Sequence, residues 1–526
     1  MQASQTPVVK DLVLIGGGHA HVSVLRRFGM QPMPGVRLTL VTRDIHTPYS
    51  GMLPGYVAGH YRYDDCHIDL GPLARFASAR LYHAEVEGLD LERRQVIASG
   101  RPPIPFDLLS INTGSRPRTL DVPGALQHAM PVKPIDTWLR QWQSLQERIV
   151  ASRGPFRVVV VGGGAGGVEL ALSTQHRLAT LLDEGGDDPG RVHYALLTDG
   201  DRILPTHNPG VQRRFARVLG ERGIVLHTGH RVIEVTPKAV HVDGHGAHPA
   251  DAVLWVTQAA APRWPTTSGL AVDGDGFIRV DDCLQSVSHP GVFAVGDVAS
   301  LPDARPKSGV FAVRQGPVLS ANLRRACLAR APRRYRPQRN FLGLISTGDR
   351  YAVASRGNWS MEGRWLWTLK DWIDRRFMQR FNELPSMPVE DVPQFAAGLA
   401  DEQAIKELST LAMRCGGCGA KVGSTVLSRV VQRLPEQRRE DVVIGLDAPD
   451  DAAVYRVPEG KLLVQSVDYF RSFLDDAYLF GRIAANHALG DLFAMGAEPQ
   501  SVLALSLIHI SEPTRLLRRS RMPSSA

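Results

Sequence analysis

Cysteine is scarce in this chain: there are five in 526 residues, at Cys66, Cys283, Cys327, Cys415 and Cys418. Such a scattered set excludes a disulfide framework, and only the last two are close neighbours. Long apolar runs are also missing, and nothing approaches the ~20 consecutive apolar residues that cross a bilayer. The first residues run into an apolar segment without the layout of a cleavable leader, so a cytoplasmic protein is expected. The net charge of +8 is modest. Part of it sits at the end, where Arg515, Arg518, Arg519 and Arg521 face Glu512 alone, and nucleic-acid binding does not follow from it. Heptads and internal repeats are absent apart from one duplicated pattern.

That pattern is a pair of glycine loops. Gly16-Gly17-Gly18 follows the apolar run Leu12–Ile15, and Gly162-Gly163-Gly164-Ala165-Gly166-Gly167 follows Val158–Val161. A buried strand that breaks at glycines and enters a helix leaves backbone N–H groups facing the space above the turn. The helix N-terminus adds partial positive charge, so each loop favours a pyrophosphate. Two such loops point to two dinucleotides held close enough for hydride transfer. The chain is long enough for roughly three or four domains. Strands are expected at Val36–Val41, at 107–112, at Tyr194–Leu197, at 251–257 and at 291–295. This order reads as one nucleotide-binding domain inserted into another.

These residues resemble the two-dinucleotide flavoproteins of the pyridine nucleotide–disulfide oxidoreductase superfamily, in particular the NADH dehydrogenase-like branch, over about residues 10–381. The resemblance implies FAD on the first loop (Gly16, Gly18 and His19) and NAD(P)H on the second (Gly162, Gly164 and Gly167). It also places Asp297, in Gly296-Asp297, on the ribityl chain, and runs the segment His46–Pro54, with Pro48, beside the flavin ring. Glu169 would lie near the nicotinamide–flavin contact; an acid placed there simply for the helix dipole stays open. Three features depart from the pattern. His21 stands where the first loop should carry its third glycine. Thr42 and Thr198 occupy the ribose-binding positions, with Asp44 and Asp199 close behind, so NADH and NADPH are both open. Of the quinone-site glutamines, Gln315 is in place and Val310 replaces the other. No cysteine pair follows either loop, which argues for direct transfer from flavin to a small acceptor. Basic and apolar residues alternate through Arg364–Met378, and packing on the body is expected there, with a peripheral membrane surface the alternative.

Pro385, Pro388 and Pro393 mark a linker, with a short helix near Asp401–Met413. Beyond it, Cys415-Gly416-Gly417-Cys418-Gly419-Ala420-Lys421 lacks the second ligand pair that a zinc site needs. A thiol three residues from a lysine on a glycine loop suits a nucleophile. Acids at strand and helix ends follow at Asp450, Asp451, Asp468 and Asp491. Together with Phe480–Asn486 these runs resemble selenophosphate synthetase (selenide, water dikinase). That resemblance implies ATP, selenide and water going to selenophosphate, AMP and phosphate. Cys418 and Lys421 would be the catalytic pair, Asp451 and Asp491 Mg²⁺ ligands, and Pro449, Asp450 and Asp468 ATP contacts. The match stops near Leu505. Residues 506–526 look like translated sequencing adapter, with a basic tail as the alternative, so the synthetase part is expected to be truncated.

The expected fold is α/β: two nested Rossmann-like domains and an α+β piece, then a truncated PurM/AIR synthetase-like α+β domain. The FAD domain takes 1–125 and 270–335, the NAD(P) domain 126–269, and the flavoprotein's last piece 336–384. A linker takes 385–413 and the synthetase part 414–505. The expected function is an FAD-dependent NAD(P)H oxidoreductase fused to a selenide, water dikinase. A type II NADH:quinone dehydrogenase with an inert C-terminal segment, or a nucleotide sensor without catalysis, are the alternatives. The expected partners are small molecules: NAD(P)H, a quinone or selenium species, ATP and selenide. A homodimer and peripheral membrane contact stay open.

Overall fold

The computed structural model describes residues 8–385 except 118–121, 134, 258 and 339–341. Beyond these it describes 442–444, 454–457 and, between 459 and 499, all but 467, 469–472 and 475. The chain divides into two units: Lys10–Pro32 with Leu38–Val389, and the rest, which includes Glu390–Ala526.

The first unit is built on two sheets of the same plan. In one, the strand order is Val292–Ala294, Leu108–Ile111, Lys10–Ile15, Val36–Thr42 and Arg80–His83. The other sheet runs Met130–Pro131, Ala252–Trp255, Phe156–Val161, Val192–Leu197 and Ile224–His227, with every pairing parallel. In both, the strand that ends in a glycine loop is central. Strand order reverses beside it, which opens a crevice at the carboxyl ends. The strand Val292–Ala294 returns to pair with Leu109–Ile111 after the second sheet is complete, so the second domain is inserted in the first.

Strand alternation explains why these apolar runs are continuous. Val158 and Val160 join one core with Trp138, Trp142 and Phe215. Val159 and Val161 join the opposite core with Trp255 and the three-stranded antiparallel sheet of Val232–Val235, Ala239–Val242 and Gly246–Pro249. A strand covered on both faces needs apolar residues at every position.

A third piece follows: an antiparallel meander of Gly343–Ser346, Ala352–Arg356 and Trp359–Gly363, then the helix Arg364–Asn382. The helix buries Leu366, Lys370, Asp374, Met378 and Phe381, spaced to form one stripe, and so packs on the body. Its other side leaves Trp365 and Trp372 each 56% exposed. No described helix is long and apolar enough to cross a membrane.

In the second unit the described elements are the antiparallel pair Val442–Ile444 and Val454–Tyr455 and the helix Ala477–Ala494. Asp476 caps that helix by accepting from the amides of Tyr478 and Leu479.

Candidate functional site

The first loop turns at Gly16, whose φ of +86° is left-handed and whose Cα approaches Asn112 so closely that a Cβ would lie 2.6 Å from its carbonyl oxygen. A Cβ on Gly18 would lie 2.4 Å from Asn112 Oδ1. Asn112 is 3% exposed and locks the turn: Oδ1 accepts from the amides of Ala20 and His21, and Nδ2 donates to Val295 O at 2.9 Å. Among the described residues the amides of Gly17 and Gly18 have no partner. An anion above the helix His19–Met30 would meet them and the helix N-terminus. His21 replaces the third glycine. It sits inside the turn, with Nδ1 2.6 Å from Gly16 O and Nε2 2.8 Å from Ser110 Oγ. Burial pushes both His19 and His21 down to about 4, so both rings are neutral at pH 7. The Nε2 of His19 is buried with no hydrogen-bond partner, an orphan polar atom at the loop.

Asp297 opens a short turn at the end of the strand Val292–Ala294. Its Oδ2 accepts from Ser115 Oγ at 3.2 Å and from Lys133 Nζ at 3.1 Å, at the edge of a cleft shared with Phe277, Lys307 and Gln315. Gln315 is 1% exposed, and its Oε1 accepts from the Gly296 amide at 2.6 Å. Its contact is therefore with the Gly296-Asp297 turn. The cradle, the orphan imidazole nitrogen and a carboxylate aimed at the crevice fit the pyrophosphate and polyol of a dinucleotide.

The second loop does carry its third glycine, and needs it: a Cβ on Gly167 would lie 1.9 Å from Gly162 O. Gly164 meets nothing within 4 Å, so the loop is open to a ligand. Thr198 is buried against Gly163, whereas Asp199 is exposed. In the first domain Thr42 is likewise buried, and Asp44 is paired with Arg43.

Glu169 lies on the second turn of the helix Ala165–Glu184, whose first turn carries no acid, so a first-turn place for the helix dipole does not hold. It accepts from the Ser346 amide at 2.7 Å. Burial pushes its carboxyl up to about 7, against the pull of Lys370 and of that amide. Lys370 donates to Asp374 Oδ2 at 2.6 Å and to Gly51 O at 2.5 Å. Thus the helix of the second loop, the segment His46–Pro54 and the helix Arg364–Asn382 meet in one charged, water-poor cluster. Tyr49 of the segment stacks on Phe377 with ring centroids 4.6 Å apart. Burial and Asp374 drive its hydroxyl far above the ordinary range. Thr47 donates to Gly17 O at 2.6 Å, which ties the segment and its neighbour Pro48 to the first loop.

Cys66 and Cys327 are buried free thiols, each pushed up to about 12 chiefly by burial, which is the opposite of a reactive thiolate. In the second unit Asp468 Oδ2 lies 3.1 Å from His487 Nδ1, and Asp491 accepts from Ser466 Oγ at 2.9 Å. His487 and Asp491 are one turn apart, so the two acids come to the same strip of the helix. Cys418, Lys421, Pro449, Asp450 and Asp451 lie outside the described residues.

Sequence reasoning missed Asn112, Lys133, Lys370 and Asp374. Asn112 could have been noticed as a polar residue at the carboxyl end of an apolar strand. The partners of the others are too distant in sequence to leave a signal.

Comparison with known proteins agrees with this geometry. The family described as pyridine nucleotide-disulphide oxidoreductase matches residues 10–316. The AIR synthase related protein, N-terminal domain, matches 449–519 and so runs past Leu505. The selenide, water dikinase of Desulfitobacterium hafniense (strain Y51) is 46% identical over 93 residues, which is 18% of this chain and 27% of the relative. That of Clostridioides difficile (strain 630) is 38% identical over 109 residues, 20% of this chain and 30% of the relative. The chain therefore spans under a third of the length of these two relatives. Among solved structures, the sulfide:quinone oxidoreductase of Aquifex aeolicus has a TM-score of 0.61 at 18% identity, covering 79% of this chain and 99% of that one. An NDH2 from Plasmodium falciparum in complex with NADH gives a TM-score of 0.58 at 14% identity, over 72% and 99%. At these identities the likeness is one of fold. A family match over more than half the chain goes further: this chain belongs to the pyridine nucleotide-disulphide oxidoreductase family and carries a selenide, water dikinase-like segment behind it.

Proposed function

We propose that the chain is an FAD-dependent NAD(P)H oxidoreductase fused to a selenide, water dikinase, the second activity being incomplete in the sequence as it stands. The observation that carries the redox part is the cluster of Glu169, Lys370, Asp374 and Gly51, which joins the helix of the second loop to the segment tied to the first. Bound FAD would supply a two-electron carrier between NAD(P)H and an acceptor. The chain's own residues do the rest. The amides of Gly17 and Gly18 and the helix start hold pyrophosphate. Asp297 accepts hydrogen bonds from a polyol, with Lys133 and Ser115 fixing its carboxylate. Gln315 holds that turn from behind. Glu169 holds a proton near neutral pH at the junction of the two domains and positions the Ser346 strand.

With no cysteine pair following either glycine loop, electrons leave for a small acceptor. The selenide, water dikinase-like segment that follows in the chain favours a selenium species as the acceptor. The neighbouring segment would then use the product: Cys418 and Lys421 act on selenide, with ATP at Pro449, Asp450 and Asp468 and Mg²⁺ at Asp451 and Asp491. The test follows NAD(P)H consumption by the full chain with a dye, a quinone or a selenium species in turn. NAD(P)H oxidation driven by the selenium species supports the reading. Turnover with quinone alone favours a plain dehydrogenase, and no turnover with any acceptor favours a sensor.

A further inference from the structure

Three histidines converge on one surface of the second nucleotide domain. His227 ends the strand Ile224–His227, His230 follows the left-handed turn at Gly229, and His248 lies on the strand Gly246–Pro249. One ring nitrogen from each lies within 4.8 Å of those of the others. Ring centroids are 4.8 Å apart for His227 and His248 and 5.0 Å for His227 and His230. A fourth ring, His245, stacks on His230 at 4.0 Å.

The backbone under these rings is fixed. The Thr198 amide donates to His227 O at 3.0 Å, and the amides of Gly229 and His230 donate to Gly200 O and Thr198 O, each at 2.8 Å. The side chain of His230 is oriented too: its Nδ1 lies 2.8 Å from Thr228 O, which leaves Nε2 with its lone pair outward. That arrangement is the usual support for a metal-ligating imidazole. Among the described residues no carboxylate forms an ion pair with any of the three, so protonating them together would only add repulsion.

We propose that His227, His230 and His248 form a site for a divalent transition metal of the zinc class, with water in the fourth position. Three imidazoles and an open position suit zinc. Ligand nitrogens on a tetrahedral zinc stand about 3.3 Å apart, so small rotations of these half-exposed rings complete the site. Neither glycine loop contributes a ligand, but the site adjoins the ribose-binding position of the second domain, because the backbone of His227 and His230 is bonded to Thr198.

The test uses untagged full-length protein carrying Cys415→Ser and Cys418→Ser, which removes the other zinc-competent pair. After chelation it is titrated with Zn²⁺ by calorimetry, and the loaded sample is taken to the zinc absorption edge. The expected result is saturation at one ion per chain and an imidazole shell at about 2.0 Å. His230→Gln and His248→Gln are each expected to weaken binding at least about tenfold, with an unchanged thermal melt in the absence of metal. Binding that is not saturable, a shell without imidazole, or equal affinity in the His230→Gln, His248→Gln double variant would overturn the proposal.

Discussion

His21 and Ser110 are joined by a 2.8 Å hydrogen bond across the first glycine turn. The loop lacks a third glycine because this pair does the work of close packing in another way. The imidazole fills the space between helix and strand and ties Gly16 O on one side to the strand Leu108–Ile111 on the other. In the second loop the same position has no room: a Cβ on Gly167 would collide with Gly162 O. Two related domains thus solve one packing problem by a buried side chain and by its absence.

Replacing His21 with leucine removes both bonds and leaves a buried hydroxyl and a carbonyl without partners. A loss of about 2–4 kcal/mol is expected, read by urea denaturation, together with lower flavin content.

The same histidine makes stability depend on acid. In the fold its ring stays neutral down to about 4, whereas in the unfolded chain it takes up a proton near 6.5. Between those values the unfolded state binds more protons, so stability falls as pH drops through the window and is fully kept above it. Each such histidine contributes a slope of up to about 1.4 kcal/mol per pH unit. His21→Asn should flatten the wild-type slope between pH 6.5 and 4; an unchanged slope would place its source elsewhere.

Glu169 works in the opposite sense. Its native carboxyl keeps a proton up to about 7 while the unfolded one loses it near 4.5, so its contribution to stability declines as pH rises through that range. NAD(P)H oxidation should show an inflection near pH 7 that Glu169→Gln abolishes. The variant should keep its flavin, because the first loop is untouched.

Loop substitutions should separate the two coenzymes. Gly18→Ala places a methyl against Asn112 and is expected to yield protein without flavin. Gly167→Ala pushes against Gly162 O and should raise the KM for NAD(P)H at least about tenfold, roughly 1.4 kcal/mol, while the flavin stays. Flavin content and initial rates measured on the same preparations decide the matter.

What could be read in the sequence was local. An apolar run followed by glycines is enough to give a buried strand, a turn and a helix start, so both glycine turns and the nesting of one domain in another were legible. The unread parts depend on residues far apart. Lys133 reaches Asp297 across 164 positions, and Lys370 reaches Gly51 across 319. Gln315 has the composition of an acceptor-site residue, and only the fold reveals that its amide oxygen is held by Gly296. The amphipathic stretch from Arg364 packs one stripe on the body, but its outward tryptophans follow from a rotation about the helix axis that composition does not fix. The three-histidine cluster was invisible because a hairpin brings His248 back over His227.

Central to the proposed function are two dinucleotides whose reactive rings would meet within one unit, so that electrons would pass from the second loop's ligand to the first loop's. The most direct measurement is an anaerobic titration of the purified full-length protein with NADH and with NADPH, followed through the visible spectrum. The account predicts a yellow protein with about one flavin per chain, bleached by one equivalent of the preferred nucleotide, and bleached poorly in Gly167→Ala. A protein that binds both coenzymes but keeps its colour when NADH or NADPH is added would contradict it.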